Sequence, residues 1–502
     1  MFVNTFWSLV PPIVAIGLAL LTKETYSSLF IGIVVGALLA TDFSPIGALD
    51  TIINDGLTAA IADNAGIFLF LVILGVMVAL VNATGGSAAF GRWAASHIHS
   101  KAGALLATFA LGVLIFIDDY FNCLTVGSVM TPVTDSQRIS RVKLAYLIDA
   151  TAAPICMIAP ISSWAAAVSG VAAKLDTGVS GIQLFIEAIP YNFYSLLTIV
   201  FVITMVVLGV DYGPMAAAEL KAAQTGDLGA LSEEQEEGSS RANMWDMLIP
   251  IILLIIFCVI GLIYVGGFWD PETNAGDFIA AFGDTDAFVG LPWGALIALV
   301  LSIIYLCARR VITFKGAMGC MTKGFNAMVP AILILTFAVS LKSMTGLLGA
   351  ADYVEGLMKQ ASEGLFMLLP AIIFVVACLL AFATGTSWGT FGILIPIVLP
   401  IFNAAPDLQI MGISACLAGA VCGDHCSPIS DTTIMASAAE MCIRDSHVST
   451  QIPYAVTVAA ICFVNYILAA FIRNVVISLA IGVVMVIGTL LVIRSVQSRK
   501  TA

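Results

Sequence analysis

From Ala102 to Thr134 the chain runs through a mostly apolar stretch that is too long for one membrane crossing, and both flanks are basic: Arg92 and Lys101 before it, Arg138, Arg141 and Lys143 after it. Positive residues collect on one face of a membrane, so a segment basic at both ends enters and leaves by the same side. The reading is a re-entrant helical hairpin with Asp118, Asp119 and Asn122 at its tip. Gly364 to Phe402 is likewise read as a re-entrant hairpin, entering and leaving on the outer side, with Thr384, Gly385, Thr386 and Ser387 at the tip. Each hairpin is followed by a polar-broken apolar segment. The first, Asp149 to Trp164, carries Pro160-Ile161-Ser162; the second, Gly423 to Thr433, carries Pro428-Ile429-Ser430. Paired interruptions at corresponding places in two halves mark a ligand site in the middle of the bilayer.

Composition decides the solvent. The 502 residues are 60% hydrophobic and 10% charged, with mean hydropathy +1.05, against roughly 25% charged in soluble domains. A span needs roughly 20 apolar residues, and the chain offers about eleven such stretches, near 6–22, 26–41, 65–82, 144–173, 190–210, 244–266, 289–307, 327–345, 410–440, 450–472 and 475–493. The expected fold is an all-α polytopic membrane protein of about 11 transmembrane helices plus two re-entrant hairpins in an inverted-topology repeat. The first apolar run, Phe6 to Leu21, has no basic residue before it and is read as a span rather than a cleaved signal. Asp42, Asp50, Asp55 and Asp63 follow the second run without a cation, whereas Arg92 and Lys101 follow the third. The N-terminus is therefore expected outside and the C-terminus in the cytoplasm. On that topology 16 of the 20 Lys and Arg lie inside, leaving Lys174, Lys342, Lys359 and Arg473 outside. The halves are residues 1–210 and 244–502, joined by an acidic cytoplasmic connection, 211–243, that includes Ser232 to Glu237 and is read as solvated. Asp270, Glu272, Asp277, Asp284 and Asp286 read as surface charge on one outer loop, and the eleven scattered cysteines as small core residues.

The interruptions carry the chemistry. Carboxylates at mid-membrane cost several kcal/mol unless they face a cavity or a cation, so Asp118 and Asp119 mark an ion or proton path. Pro154 and Pro160 free backbone carbonyls, which are tolerated at that depth only against protein or a water-filled cavity. A hard cation takes oxygen ligands. Asp149, Thr151, Ser162 and Ser163 supply them in the first half; Thr384, Thr386, Ser387, Asp424, Ser427, Ser430, Asp431, Thr432 and Thr433 do so in the second. Asn122 completes the shell, and a carboxylate that binds either a proton or a sodium ion couples the two by competition. His425, between Cys422 and Cys426, fits no common zinc spacing and is read as a proton relay.

The runs Phe116 to Gly127, Leu144 to Trp164, Gly385 to Pro396 and Gly423 to Thr433 resemble the NhaC family of sodium/proton antiporters, within the wider superfamily of elevator carriers. The resemblance spans about Asn64 to Tyr454. It implies sodium entry exchanged for outward protons or a small organic ion, in a bacterial inner membrane, by a homodimer. It also implies that each hairpin and its neighbouring broken span slide against a scaffold. Glu440 to Ser446 departs from the Gly-Cys-Asp-His run expected before His447-Val448 and resembles a translated sequencing adapter. Not an enzyme, the chain needs no cofactor on this reading beyond a transported or coupling sodium ion, and no nucleic-acid partner. The alternative is a sodium- or proton-coupled exchanger of small organic acids or amino acids, of the malate/lactate type, although no Arg or Lys stands in the polar core of the interruptions. An intramembrane aspartyl protease lacks its Gly-X-Gly-Asp motif here, and a passive channel would show flux without coupling.

Overall fold

Helix ends, rather than helix middles, decide this architecture. The computed structural model describes residues 2–22, 24–172, 181–229, 242–283, 285–350, 352–353, 363–402, 408–428, 430–439 and 444–501. The side chains of Thr384 and Asp431 lie outside that description, as do Ser232 to Glu237, Asp284, Ile429 and Glu440 to Ile443. No strand occurs among the described residues. Each of the eleven expected stretches contains helix among its described residues, but only six described helices are long and apolar enough to cross a membrane unaided, or seven if the bent pair Gly181–Tyr191 and Phe193–Leu208 is one span. The other expected spans are short, such as Thr25–Ala40, or broken.

The first hairpin is Lys101–Leu114 and Asp119–Ser136. Ser100 caps its first arm, accepting from Gly103 N at 3.1 Å, and Ile115 leaves helical geometry at φ −95°, ψ 57°. The second hairpin is Glu363–Thr384 and Ser387–Ile401. Gly385, at φ 66°, makes the left-handed turn between its arms, and Thr386 caps the returning arm. The broken spans follow as expected. One comprises Arg141–Thr151, the short Ala153–Cys156 and Ser163–Ala172; the other comprises Gln409–Cys426 and Asp431–Ala439.

The halves interlock. The tail Asp431–Ala439 packs on Asp119–Ser136 and Arg141–Thr151 of the first half, while the tail Ser163–Ala172 packs on Ser387–Ile401 of the second. Around this core stand Val10–Thr22, Thr25–Ala40, Ala65–Thr84, Trp245–Val265, Ala287–Ala308 and Phe314–Leu347, which pack chiefly on one another. Close approach there depends on small residues: a Cβ at Gly75 would stand 2.3 Å from the carbonyl of Gly324. Asp246, fully buried, receives Arg309 through Nε at 3.0 Å and Nη2 at 3.1 Å, joining two of these helices.

One stretch differs from the expectation of a solvated connection. Gly213–Thr225 is a helix docked on Arg141–Thr151 and Arg444–Ile472, and its Glu219 is buried. The side chain accepts from Ser140 N at 2.8 Å and Ser140 Oγ at 2.6 Å and pairs with Lys101 at 2.5 Å. Composition alone made the segment look solvated; three donors arriving from other elements draw it in. Asp270, Glu272, Asp277 and Asp286 are exposed, and the ten described cysteines are free and at least partly buried.

Candidate functional site

Both hairpin breaks and both helix breaks meet in the interior, and the carbonyls freed there are taken up by side chains. The last carbonyls of a helix have no partner within it. Asn122 Nδ2 answers three of them: Gly112 O at 2.7 Å, Ile115 O at 3.0 Å and Thr151 O at 3.0 Å. One amide thereby staples the first hairpin break to the first helix break. Gly112 permits the approach, because a Cβ there would stand 2.1 Å from Thr151 Oγ1. Ser163 N donates to Ile117 O at 2.7 Å, and Ser162 Oγ to Cys156 O at 2.7 Å. In the second half Ser427 Oγ donates to Phe382 O at 2.7 Å. The glycine of this half is on the other partner: Gly423, in the broken span, would put a Cβ 2.1 Å from the carbonyl of Cys378 on the hairpin arm.

The acids sit within this lattice. Asp118, Asp119, Asp149 and Asp424 are all buried, none more than 4% exposed. Asp119 Oδ2 accepts from Trp164 Nε1 at 3.0 Å, and the charges of Asp118 and Asp424 lie within its electrostatic reach. Asp424 Oδ2 accepts from Ser387 Oγ at 2.8 Å, so the second hairpin tip meets the second helix break. Asp149 reaches across the repeat: its Oδ2 accepts from Thr433 Oγ1 at 3.0 Å and Gln451 Nε2 at 3.0 Å, and His447 Nε2 stands 3.5 Å away. Gln451 Nε2 also donates to His425 O at 2.6 Å, and His425 Nδ1 shares a 2.9 Å hydrogen bond with Tyr194 OH.

Several hydroxyls expected as cation ligands are engaged with the protein in this conformation. Thr151 Oγ1 bonds Leu147 O at 2.8 Å in its own helix, Thr386 Oγ1 accepts from Gly389 N at 3.3 Å, and Ser430 and Thr432 pair at 3.1 Å. Ser163 Oγ has no hydrogen-bond partner among the described residues. Among the described residues no group of three or more His, Cys, Asp or Glu is arranged to hold a metal ion. Thr384 and Asp431 are placed by backbone only.

Trp164, Gln451, His447 and Tyr194 join the site without having been singled out for it. Trp164 closes the quoted Pro-Ile-Ser run, and His447 and Gln451 lie four apart at the start of an apolar stretch, which is one helix face. Nothing local marks their partners. Trp164 also packs against Trp388 and Phe391 at centroid distances of 6.1 and 5.6 Å, tying the first half to the second hairpin.

Residues 155–471 match the model of the Na+/H+ antiporter family. The chain belongs to that family. It is 36% identical to an uncharacterised protein of Haemophilus influenzae over 486 residues, covering 94% of this chain and 92% of that one. It is 28% identical to the malate-2H+/Na+-lactate antiporter of Bacillus subtilis over 164 residues, which is 32% of this chain and 34% of the other. Among solved structures, the YdaH transporter of Alcanivorax borkumensis superposes with a TM-score of 0.51 at 15% identity, over 83% of this chain and 88% of that one, a likeness of fold. This antiporter-family chain is a multi-pass membrane protein and a secondary transporter.

Proposed function

We propose that this chain exchanges sodium ions for protons, with Asp119 and Asp424 holding the cation and Asp149 holding the proton. Carrying this reading is the convergence of buried carboxylates from both halves on the interlocked breaks, where acids at membrane depth otherwise have no reason to be. The division of labour follows from partners. Asp149 Oδ2 is occupied by Thr433 and Gln451 with His447 beside them, which leaves that oxygen no free side for a cation. The neighbourhood of Asp119 and Asp424 offers hydroxyl oxygens at Ser163 and Ser387 and two carboxylates. Asp118, Thr384, Ser427, Ser430, Asp431 and Thr432 would complete or support that shell once the hairpin tips close on an ion. Membership of the Na+/H+ antiporter family supports the choice of ions. The excess of Lys and Arg on one set of connections supports an N-terminus outside and a C-terminus in the cytoplasm. In liposomes containing the purified chain, an imposed sodium gradient should drive opposite proton movement, lost in Asp424→Asn; sodium-coupled proton flux persisting in that variant would defeat the assignment.

A second reading, exchange of a small organic acid, has one observation in its favour. The Trp388 indole N–H, a pure donor, is buried beside Trp164 and Phe391 without an acceptor among the described residues. A substrate carboxylate would satisfy it, in keeping with the partial match to the malate/lactate antiporter. Sodium counterflow with and without malate or lactate separates the two readings.

A further inference from the structure

The inverted repeat is broken at one place that the exchange site does not explain. The leading helix of each broken span ends two residues after its acid, at Thr151 and at Cys426. Counting back from Asp149, Tyr146 and Lys143 lie three and six residues earlier; counting back from Asp424, the same offsets hold Val421 and Ala418. All four positions are buried. A lysine in the interior is costly unless paired, so packing alone does not account for Lys143.

Its surroundings form a column along the helix Arg141–Thr151, every residue of which is buried. Lys143 Nζ pairs with Asp211, approaches Met205 Sδ at 3.0 Å and lies 5.2 Å over the ring of Tyr454. Asp211 is the open end, its side chain 22% exposed, and its Oδ1 accepts from Tyr454 OH at 2.7 Å. Next inward is Tyr146, whose ring meets Tyr454 edge-on at 5.0 Å and stacks on His425 at 6.0 Å. Tyr146 and Asp149 stand three residues apart on one helix and so share a face. At 1.5 Å rise per residue the column climbs about 9 Å from Lys143 to Asp149. The other charges facing Lys143 and Asp211 are Lys101 and Glu219, from the first hairpin and the docked helix.

We propose that Asp211, Lys143, Tyr454 and Tyr146 form a proton path between the face bearing the 211–243 connection and Asp149, with no counterpart in the second half. The inference rests on the exchange reading and adds the route and its sidedness. A proton leaving Asp149 is accepted by a hydroxyl that passes its own proton on, so each tyrosine stays neutral and only the end carboxylates change charge. Lys143 acts as a positioning residue: its ammonium holds Asp211 against Tyr454.

The test uses the full chain in liposomes and two readouts. Radiolabelled sodium counterflow needs no net proton transfer, whereas sodium-driven internal pH change does. Tyr146→Phe removes one hydroxyl and leaves the ring packing; Asp211→Asn keeps a group able to bond Tyr454. In both, proton-coupled exchange should fall about tenfold or more, with counterflow within about twofold of the parent. Lys143→Arg should rescue most of the coupled rate relative to Lys143→Met, because it keeps the cation beside Asp211. Full coupled exchange in Tyr146→Phe and Asp211→Asn would overturn the path, as would equal loss of both readouts, which is what a purely structural cluster predicts. A parent protein that shows sodium counterflow but never moves protons would instead defeat the exchange reading itself.

Discussion

The first and second broken spans close in the same way and then part company. Ala152 N bonds back to Asp149 O at 3.4 Å, and Ser427 N to Asp424 O at 2.9 Å. The acids are therefore equivalent by backbone position. Asp424, however, is served by its own half, through Ser387 on the neighbouring hairpin, while Asp149 is served by the other half, through Thr433 and Gln451. The helix behind Asp149 carries Tyr146 and Lys143, and the helix behind Asp424 carries Val421 and Ala418. Symmetric backbone thus supports asymmetric chemistry. Two identical breaks would give two identical sites, and these two are not identical.

The sharpest test of that asymmetry is to neutralise each acid in turn. Asp424→Asn should abolish sodium counterflow and proton coupling together, about a hundredfold or more in rate. Asp149→Asn should abolish coupling while leaving measurable sodium counterflow; identical behaviour of the two variants would erase the distinction. A step smaller, Ser387→Ala removes a donor to a buried carboxylate, worth about 1.5 to 3 kcal/mol for a charged acceptor. It should lower the sodium affinity measured by counterflow by about tenfold. Thr433→Val should do less, within a few-fold, and only to the coupled rate, because Gln451 still donates to Asp149. The smallest functional difference is expected at the paired glycines. Valine at Gly112 or Gly423 forces a side chain into Thr151 or Cys378, costing about 1 to 3 kcal/mol. Both should lower the melting temperature in detergent, Gly423→Val the more, because Cys378 presents a fixed backbone carbonyl where Thr151 presents a side chain. Equal losses would show that the two neighbours yield alike.

Much of the frame was legible from residues alone. Flanking charge placed both hairpins, and the observed breaks fall after Leu114 and after Thr384, within a few residues of the expected tips at Asp118 and Thr384. A helix stops for local reasons, such as a glycine in the left-handed region at Gly385, a capping Thr386 or a proline in the first turn of Ala153–Cys156. Those reasons are written in neighbouring letters. The correspondence between the acids was not. Aligning the two Pro-Ile-Ser runs sets Asp149 eleven residues before Pro160 and Asp424 four before Pro428, and only the helix ends show that they occupy the same place.

What the residue order determined by itself was where the chain can be helical and where it must break, because burial in lipid and helix termination act over one or two turns. Tertiary structure alone decided which donors each aspartate receives. Thr433 and Gln451 stand 284 and 302 residues from Asp149. Pairing over such distances is set by how the two halves interlock, and no local pattern records it.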